Sequence, residues 1–440
     1  MITIGSAGVS VRAGSWVAWL VVAALGGVVG CSGSSGLLVT AADDVSATAA
    51  RPSQSSVPVR RFDRPKEFAA AGVELPRGLS ARSLAFGEPT GRVLFDSTLY
   101  AANGAGGLQS LDLAPGGATQ VFTHPDLAQT PNGTQMAGAL SGSPALTDIG
   151  GRPMVAFPQI LQLPGRGTTA GRTVLAVTAV DPATHGVAWS ASVPMDGEIG
   201  TPTVLGVRGT TLVLAVTDQH GQSSAVCALD TTTRTLRWSK PGFLGRALVG
   251  DTVVTVQPQD ETNMRQTVTG LAIADGAPAW SLPGSLYQTS ITSAGPGFAA
   301  IEGRDYGRGR STFRLLDAAG KDVIPPSQAT SGYATYGMRC AWDQKTVTVC
   351  TGVGIVLALD AASGKELWRL PDQAANRVAP EVTAVWHGAV YGQVSSRPVV
   401  LDGATGRDLT TPAVAPVQVS ATTVIAVDST GTLRAYPATG

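Results

Sequence analysis

Few side chains in this sequence have the types and spacing that active-site chemistry requires. No two of its histidines lie within the three to five residues typical of a zinc motif. The metalloprotease motif H-E-x-x-H, the serine hydrolase motif G-x-S-x-G and the haem attachment motif C-x-x-C-H are all absent. We therefore expect no catalytic, metal-binding or cofactor-binding residues, and surface or turn positions for the histidines. These are His124, His185, His220 and His387.

The first cysteine, Cys31, follows a segment with the properties of an export signal. The segment contains one basic residue, Arg12, and then an apolar run that ends in Val28-Val29-Gly30. This run is shorter than the roughly 20 residues that a membrane-spanning helix needs. Its end resembles the bacterial lipobox, which implies a lipoprotein signal peptide over residues 1–30, cleavage before Cys31, and diacylglycerol and palmitate at that cysteine. An uncleaved anchor and ordinary secretion are the alternatives. Residues 31–65, rich in Ser and Ala, are predicted to form a flexible tether.

Two further cysteines are predicted to form a disulfide. Cys340 and Cys350 flank AWDQKTVTV, which has the pattern of a strand, a turn and a returning strand. Their sulfurs could therefore meet across neighbouring strands, and outside the cytoplasm the bond would persist. Two separate thiols are the alternative. Cys227 is expected to be an unreactive core thiol.

A repeated strand, turn and strand unit organises most of the chain, and its clearest copy is LALDAASGKELW at residues 357–368. The position of the Asp in LALD recurs at intervals of 69, 49, 42, 45, 43, 42 and 35 residues. A period of about 40 to 50 residues with strand character is typical of β-propellers. The eight marker positions are Asp112, Asp181, Asp230, Ala272, Asp317, Asp360, Asp402 and Pro437.

Two residue types within the unit have predicted structural roles. The marker aspartates can accept hydrogen bonds from backbone N–H groups just ahead of them in the turn. Four tryptophans lie eight residues after a marker, and we expect them to pack one unit on the next. They are Trp189, Trp238, Trp280 and Trp368.

The composition predicts an all-β fold. Charged residues make up 14% of the chain, hydrophobic residues 43%, and there are 54 glycines, as in closely spaced strands joined by tight turns. We expect an eight-bladed β-propeller of four-stranded antiparallel blades over residues 66–440, with seven blades as the alternative. Because the last unit lacks room for a fourth strand, a segment within residues 60–95 is predicted to supply it. The net charge of zero gives no indication of nucleic-acid binding.

The unit LALDAASGKELW resembles the PQQ-enzyme repeat of eight-bladed β-propellers, a fold shared by quinoprotein dehydrogenases and by the lipoprotein BamB of outer-membrane assembly. The resemblance covers residues 90–440. A quinoprotein dehydrogenase of this family is expected to carry an adjacent cysteine pair, and no such pair is present here. The resemblance therefore favours the non-enzymatic branch, with no cofactor.

Two loops are candidates for partner contact. The interval between Asp112 and Asp181 exceeds its neighbours by at least 20 residues, which predicts a projecting insertion within residues 123–153 or 162–172. The sequence EGRDYGRGR predicts a basic, aromatic tip. Its candidate residues are Arg304, Tyr306, Arg308 and Arg310. Plain surface loops are the alternative.

These observations predict a lipid-anchored, extracytoplasmic β-propeller that binds or scaffolds unidentified proteins of a bacterial cell envelope. The alternative is an enzyme or sensor that binds a quinone or sugar in the central channel. Convergent carboxylates with an Arg or Trp along the channel would favour that alternative, and small apolar residues would count against it.

Overall fold

The protein folds as an all-β structure with one short helix, described here from a computed structural model. The structure describes residues 60–76, 86, 91–114, 116–128, 140–165, 168, 170–195, 200–218, 224–259, 265–305, 311–323 and 337–440. The predicted signal peptide, Cys31 and the tether up to residue 59 lie outside these ranges, as do Tyr306, Arg308 and Arg310.

The strands follow one another in consecutive groups, and neighbours within each group pair antiparallel. The first strand in the chain, β1 (Val73–Glu74), precedes these groups in the sequence. Group 1 contains β2 (Arg92–Phe95), β3 (Thr98–Ala102), β4 (Leu108–Asp112) and β5 (Thr119–Phe122), and the helix α1 (Pro125–Ala128) comes after it. Group 2 contains β6 (Leu140–Ser141), β7 (Ala145–Ile149), β8 (Arg152–Leu163), β9 (Arg172–Asp181) and β10 (Gly186–Pro194). Both β6 and β7 pair with β8.

The next three groups continue the pattern. Group 3 contains β11 (Thr201–Arg208), β12 (Thr211–Thr217), β13 (Ser224–Asp230) and β14 (Leu236–Pro241). Group 4 contains β15 (Leu244–Val249), β16 (Thr252–Pro258), β17 (Arg265–Ala272) and β18 (Pro278–Ser281). Group 5 contains β19 (Leu286–Ser293), β20 (Ala299–Asp305) and β21 (Ser311–Leu316).

The last three groups complete the chain. Group 6 contains β22 (Arg339–Trp342), β23 (Val347–Gly352), β24 (Ile355–Asp360) and β25 (Glu366–Leu370). Group 7 contains β26 (Glu381–Trp386), β27 (Ala389–Val394), β28 (Arg397–Asp402) and β29 (Asp408–Thr410). Group 8 contains β30 (Pro416–Val419), β31 (Thr423–Val427) and β32 (Leu433–Pro437).

Within the described ranges these groups make seven sheets, because β17 also pairs with β19 and joins groups 4 and 5. The count of eight blades therefore stays a prediction. The sequence pattern matches the position of each strand in its group. The third strand β24, IVLALD, is buried at every residue but its last, as expected for a strand covered on both faces. The fourth strand β14, LRWSKP, alternates between half-buried and exposed residues, as expected for an outer strand.

The N-terminal strand β1 closes group 8, as predicted. It pairs antiparallel with β32, with Val73 opposite Ala435 and Glu74 opposite Arg434. Group 8 thus gains its fourth strand from a segment more than 350 residues away in the chain. This pairing covers the edge that β32 would otherwise expose.

The hairpin turns at the aspartate markers are built around the carboxylate of the marker. Asp181, Asp230 and Asp402 each accept hydrogen bonds from backbone N–H groups two and three residues ahead. Asp112, Asp317 and Asp360 do the same with at least one such group. Hydrogen bonds to the ionised form, from the backbone N–H of Thr233 and then from Arg237, lower the pKa of Asp230 to about 2.

Tryptophans on the fourth strands join neighbouring groups. The indole Nε1 of Trp238 donates to the carbonyl of Ile273 at 2.8 Å, that of Trp280 to Ala318 at 2.9 Å, and that of Trp368 to Gly403 at 2.7 Å. In each case the acceptor directly follows the marker residue of the next group. Trp189 packs against the core between groups 2 and 3. The repeat therefore places these rings at group boundaries, where they pack one group on the next, as predicted.

The glycine of the marker turn is explained by the same contact. Gly406 has φ +69°, and a Cβ built there would lie 2.7 Å from the Trp368 ring. Gly276 and Gly320 have the same relation to the tryptophan of the preceding group. A glycine is required because the backbone is left-handed and because the ring leaves no room for a side chain.

Candidate functional site

The two faces of the propeller differ in their connections. Because strands alternate in direction, the connection from first to second strand and that from third to fourth strand lie on one face, which we call the turn face. The remaining connections lie on the opposite face, which we call the loop face. Turn-face hairpins of neighbouring groups touch each other: the backbone N–H of His387 donates to Asp343 at 2.7 Å, and that of Gly250 donates to Pro296 at 2.8 Å.

The segment Arg61–Phe68, which we call the strap, is bound along the turn face. Arg61 pairs with Asp96 at 2.5 Å, in the first hairpin of group 1. The backbone N–H of Phe62 donates to the carbonyl of Ala421 at 2.8 Å, in the first hairpin of group 8.

The strap continues onto groups 6 and 7. Asp63 accepts from Lys345 Nζ at 2.6 Å and lies 2.8 Å from His387 Nδ1. Arg64 pairs with the marker Asp402 at 2.8 Å. The strap therefore contacts four groups, at the ends of their innermost strands or at a marker turn.

A buried contact fixes the C-terminal end of the strap. Phe68 is 6% exposed and packs on Tyr391, whose hydroxyl donates to the carbonyl of Pro65 at 2.7 Å. One sequence-based expectation is corrected here. The predicted end of the tether at residue 65 lies too late, because residues 61–65 contact the propeller, with Arg61 and Arg64 paired to aspartates of the domain.

A cavity of about 440 Å³ lies between the innermost strands. Its walls come from the first strands of groups 1, 2, 3, 6, 7 and 8 and from the residues beside them, including the rings of Trp342 and Trp386. Among the described residues of the wall, the polar side chains are uncharged apart from one arginine. They are Arg92, Ser143, Thr203, Gln344, Thr383 and Gln418. Among the described residues of this wall, none carries a carboxylate.

The arginine of this wall is held by an amide. Arg92 is 4% exposed; its Nε donates to Gln418 Oε1 at 2.9 Å, and Gln418 Nε2 donates to the carbonyl of Arg92 at 3.1 Å. Desolvation lowers the pKa of Arg92 to about 10, so the guanidinium stays charged at neutral pH. The wall therefore has the Arg and Trp side chains named above as favouring a channel ligand, without the carboxylates.

One wall tryptophan is fixed from outside the cavity. The ring of His387 stacks on Trp386 with centroids 3.7 Å apart and an interplanar angle of 5°. Asp63 of the strap holds that histidine. The strap thus braces one wall of the cavity from the turn face.

The two candidate partner loops both leave the loop face but from different groups. Arg304 lies near the end of β20, just before the connection between the second and third strands of group 5. The insertion follows β5 of group 1. Its first residues are docked on group 2, where Asp126 hydrogen-bonds Ser192 at 2.5 Å and Leu127 packs on an apolar cluster. The described ends of the two loops therefore lie on one face but in different groups.

The insertion also corrects the expectation for a histidine. His124 is not on the surface: it is 3% exposed, its Nδ1 accepts from the backbone N–H of Asp126 at 3.2 Å, and its Nε2 lies 3.2 Å from the carbonyl of Ala191. Burial lowers the pKa of His124, which favours the neutral ring.

The predicted disulfide is present, and the last cysteine is buried. Cys340 and Cys350 lie directly opposite each other on β22 and β23 and are bonded. Cys227 is 1% exposed, and burial raises the pKa of its thiol. Among the described residues no group of three or more His, Cys, Asp or Glu side chains could hold a metal ion.

Sequence reasoning missed the cavity residues and the strap contacts. Trp342 and Trp386 fall outside the spacing that places the other repeat tryptophans, and this was the one available signal. Arg92 and Gln418 are paired across 326 residues, which no local pattern reveals.

These features define the class of fold: a β-propeller of repeated antiparallel sheets, whose repeats resemble those of the PQQ-enzyme type. The family described as outer membrane protein assembly factor BamB matches residues 175–306, which run from group 2 to group 5. No curated protein matches the sequence of the chain.

Several solved structures are similar in fold at low sequence identity. The computationally designed Ika8 protein has a TM-score of 0.45 and 15% identity, over 82% of this chain and 100% of its own. BamB from Moraxella catarrhalis has a TM-score of 0.38 and 12% identity, over 83% and 96%. The Dos1 propeller has a TM-score of 0.42 and 11% identity, over 80% and 93%. In the part of the chain that the structure describes, no helix has the length and apolar character to cross a membrane.

Proposed function

We propose that this protein is a lipid-anchored, extracytoplasmic scaffold that binds an envelope protein through its loop face. The observation that carries the proposal is that the strap covers the turn face, whereas the candidate partner loops leave the loop face. The strap occupies the turn face, and the chain runs from it toward Cys31, which the sequence predicts to be lipidated. The loop face carries the insertion and the connection after Arg304, on a rigid set of strands of the kind on which recognition loops are often placed.

The family match supports the class of role. The matching family is described as an outer membrane protein assembly factor. The match does not identify a partner, so the partner of this chain is proposed only as a protein of the same membrane compartment.

Site-specific photocrosslinking in cells tests which face binds. One probe replaces Val353, which is 69% exposed in the loop-face connection between β23 and β24. Its matched control replaces Lys365, which is exposed in the turn-face hairpin of the same group. A further loop-face probe replaces Arg304. We expect a defined envelope protein to be captured from loop-face probes and not from Lys365. Capture from Lys365 alone would overturn the assignment of the face.

The anchor is tested separately. We expect wild-type protein to incorporate labelled palmitate and to fractionate with membranes, and the Cys31→Ala variant to do neither. The loop-face crosslink is expected to disappear in that variant, because the scaffold and its partner would no longer share a membrane. Unchanged fractionation and crosslinking of Cys31→Ala would contradict the anchored scaffold.

A further inference from the structure

We propose that the cavity between the innermost strands binds an uncharged saccharide of one or two hexose units. The volume of about 440 Å³ lies within the range of ordinary small-molecule sites. Six strand groups contribute to its wall, so the site exists only in the closed propeller. This activity is separate from the proposed scaffold function and does not depend on it.

The charges of the wall favour a neutral ligand. A cation would meet the guanidinium of Arg92 and, among the described wall residues, no carboxylate. An anion would need that guanidinium to be presented to it. Arg92 is instead 4% exposed and locked into the wall by its reciprocal hydrogen bonds with Gln418.

The remaining polar groups have the chemistry of hydroxyl recognition. Ser143, Thr203 and Gln344 line the cavity, and hydroxyl and amide groups can both donate to and accept from a sugar hydroxyl. These three side chains disfavour a wholly apolar ligand, because covering them without hydrogen bonds would be costly.

Two aromatic rings in the wall can provide the apolar contacts that a sugar ring needs. Trp342 and Trp386 line the cavity, and large aromatic faces are suited to the C–H surfaces of a hexose. His387 covers one face of Trp386 and fixes the ring, so little side-chain entropy is lost when a ligand packs there. Alternating apolar and hydroxyl-recognising surfaces match a saccharide better than a planar quinone.

Binding is tested by isothermal titration calorimetry on the detergent-solubilised full chain. The probes are glucose, N-acetylglucosamine and maltose, with glucuronate as the charged comparison and a soluble quinone as the apolar one. Because two tryptophans line the cavity, we also expect a neutral sugar to change the intrinsic fluorescence. We expect at least one neutral sugar to bind more tightly than glucuronate and the quinone.

Two variants locate the site. Ala145→Trp fills the cavity and is expected to abolish binding, whereas Val121→Trp, at a residue 52% exposed on the outer strand β5, is expected to leave it unchanged. Gln344→Asn keeps an amide that tolerates the φ of +65° at this position but shortens its reach, and is expected to weaken binding about tenfold. The thermal unfolding midpoint of each variant is measured beside that of wild type, so that loss of binding can be distinguished from loss of folding.

The proposal is overturned if none of the three neutral sugars binds, or if glucuronate or the quinone binds more tightly than all of them. It is also overturned if folded Ala145→Trp binds as wild type does. If Ala145→Trp does not fold, an unchanged affinity of Gln344→Asn has the same meaning.

Discussion

The contact between Trp368 and Gly406 makes a quantitative prediction about what holds neighbouring groups together. Gly406→Ala introduces a Cβ at φ +69°, 2.7 Å from the Trp368 ring. The left-handed backbone costs an L residue about 1 to 2 kcal/mol. Overpacking against a ring that is hydrogen-bonded in place adds about 1 to 3 kcal/mol. We expect a loss of about 2 to 5 kcal/mol in the free energy of unfolding.

The control is Gly354→Ala. Gly354 has φ +68°, but no atom lies within 4 Å of the position its Cβ would take. Gly354→Ala is therefore expected to lower the free energy of unfolding by the backbone cost alone, about 1 to 2 kcal/mol. The difference between the two variants measures the ring contact.

Equilibrium urea unfolding is the assay, followed by both fluorescence and circular dichroism so that a departure from two-state behaviour is visible. Combining Gly406→Ala with Trp368→Ala removes the clash, and we expect a coupling energy of about 1 to 3 kcal/mol between the two sites. Equal losses for Gly406→Ala and Gly354→Ala, with no coupling to Trp368, would refute the view that the ring sets the identity of residue 406.

Further predictions concern the strap, a buried histidine and the disulfide. Phe68→Ala is expected to cost about 3 to 5 kcal/mol in thermal or urea unfolding, because it leaves a cavity beneath the strap. Asp63→Ala is expected to cost under about 1 kcal/mol, because that carboxylate is 66% exposed; a larger loss than that of Phe68→Ala would reverse this ranking. Because burial lowers the pKa of His124, its contribution to stability is complete above the unfolded pKa of about 6.5 and is lost as pH falls through the folded pKa. His124→Gln should therefore flatten the decline of stability between pH 7.5 and 5; an unchanged pH profile would contradict the assignment. Replacing both Cys340 and Cys350 by Ala is expected to lower the free energy of unfolding by about 3 kcal/mol for a loop of this length, measured without reductant. If the variant remains less stable than wild type by the same amount after the wild-type disulfide is reduced, the bond is not the source of the loss.

The parts of the fold that the sequence predicted are those encoded within a few residues. Asp360 and the strand pattern of residues 355–370 belong to one hairpin, so their roles follow from local backbone geometry. The disulfide was predictable for the same reason, since ten residues separate its cysteines in one hairpin. The expectation of a missing fourth strand came from counting the strands of the last unit.

The tertiary structure alone decided where chemistry could occur. Arg92 meets Gln418 across 326 residues, and Asp63 meets His387 across 324, because closing the ring brings its ends together. Neither pair has a local signature. A repeat determines its own hairpin through hydrogen bonds between near neighbours, whereas the cavity and the strap depend on how all the groups close around one axis.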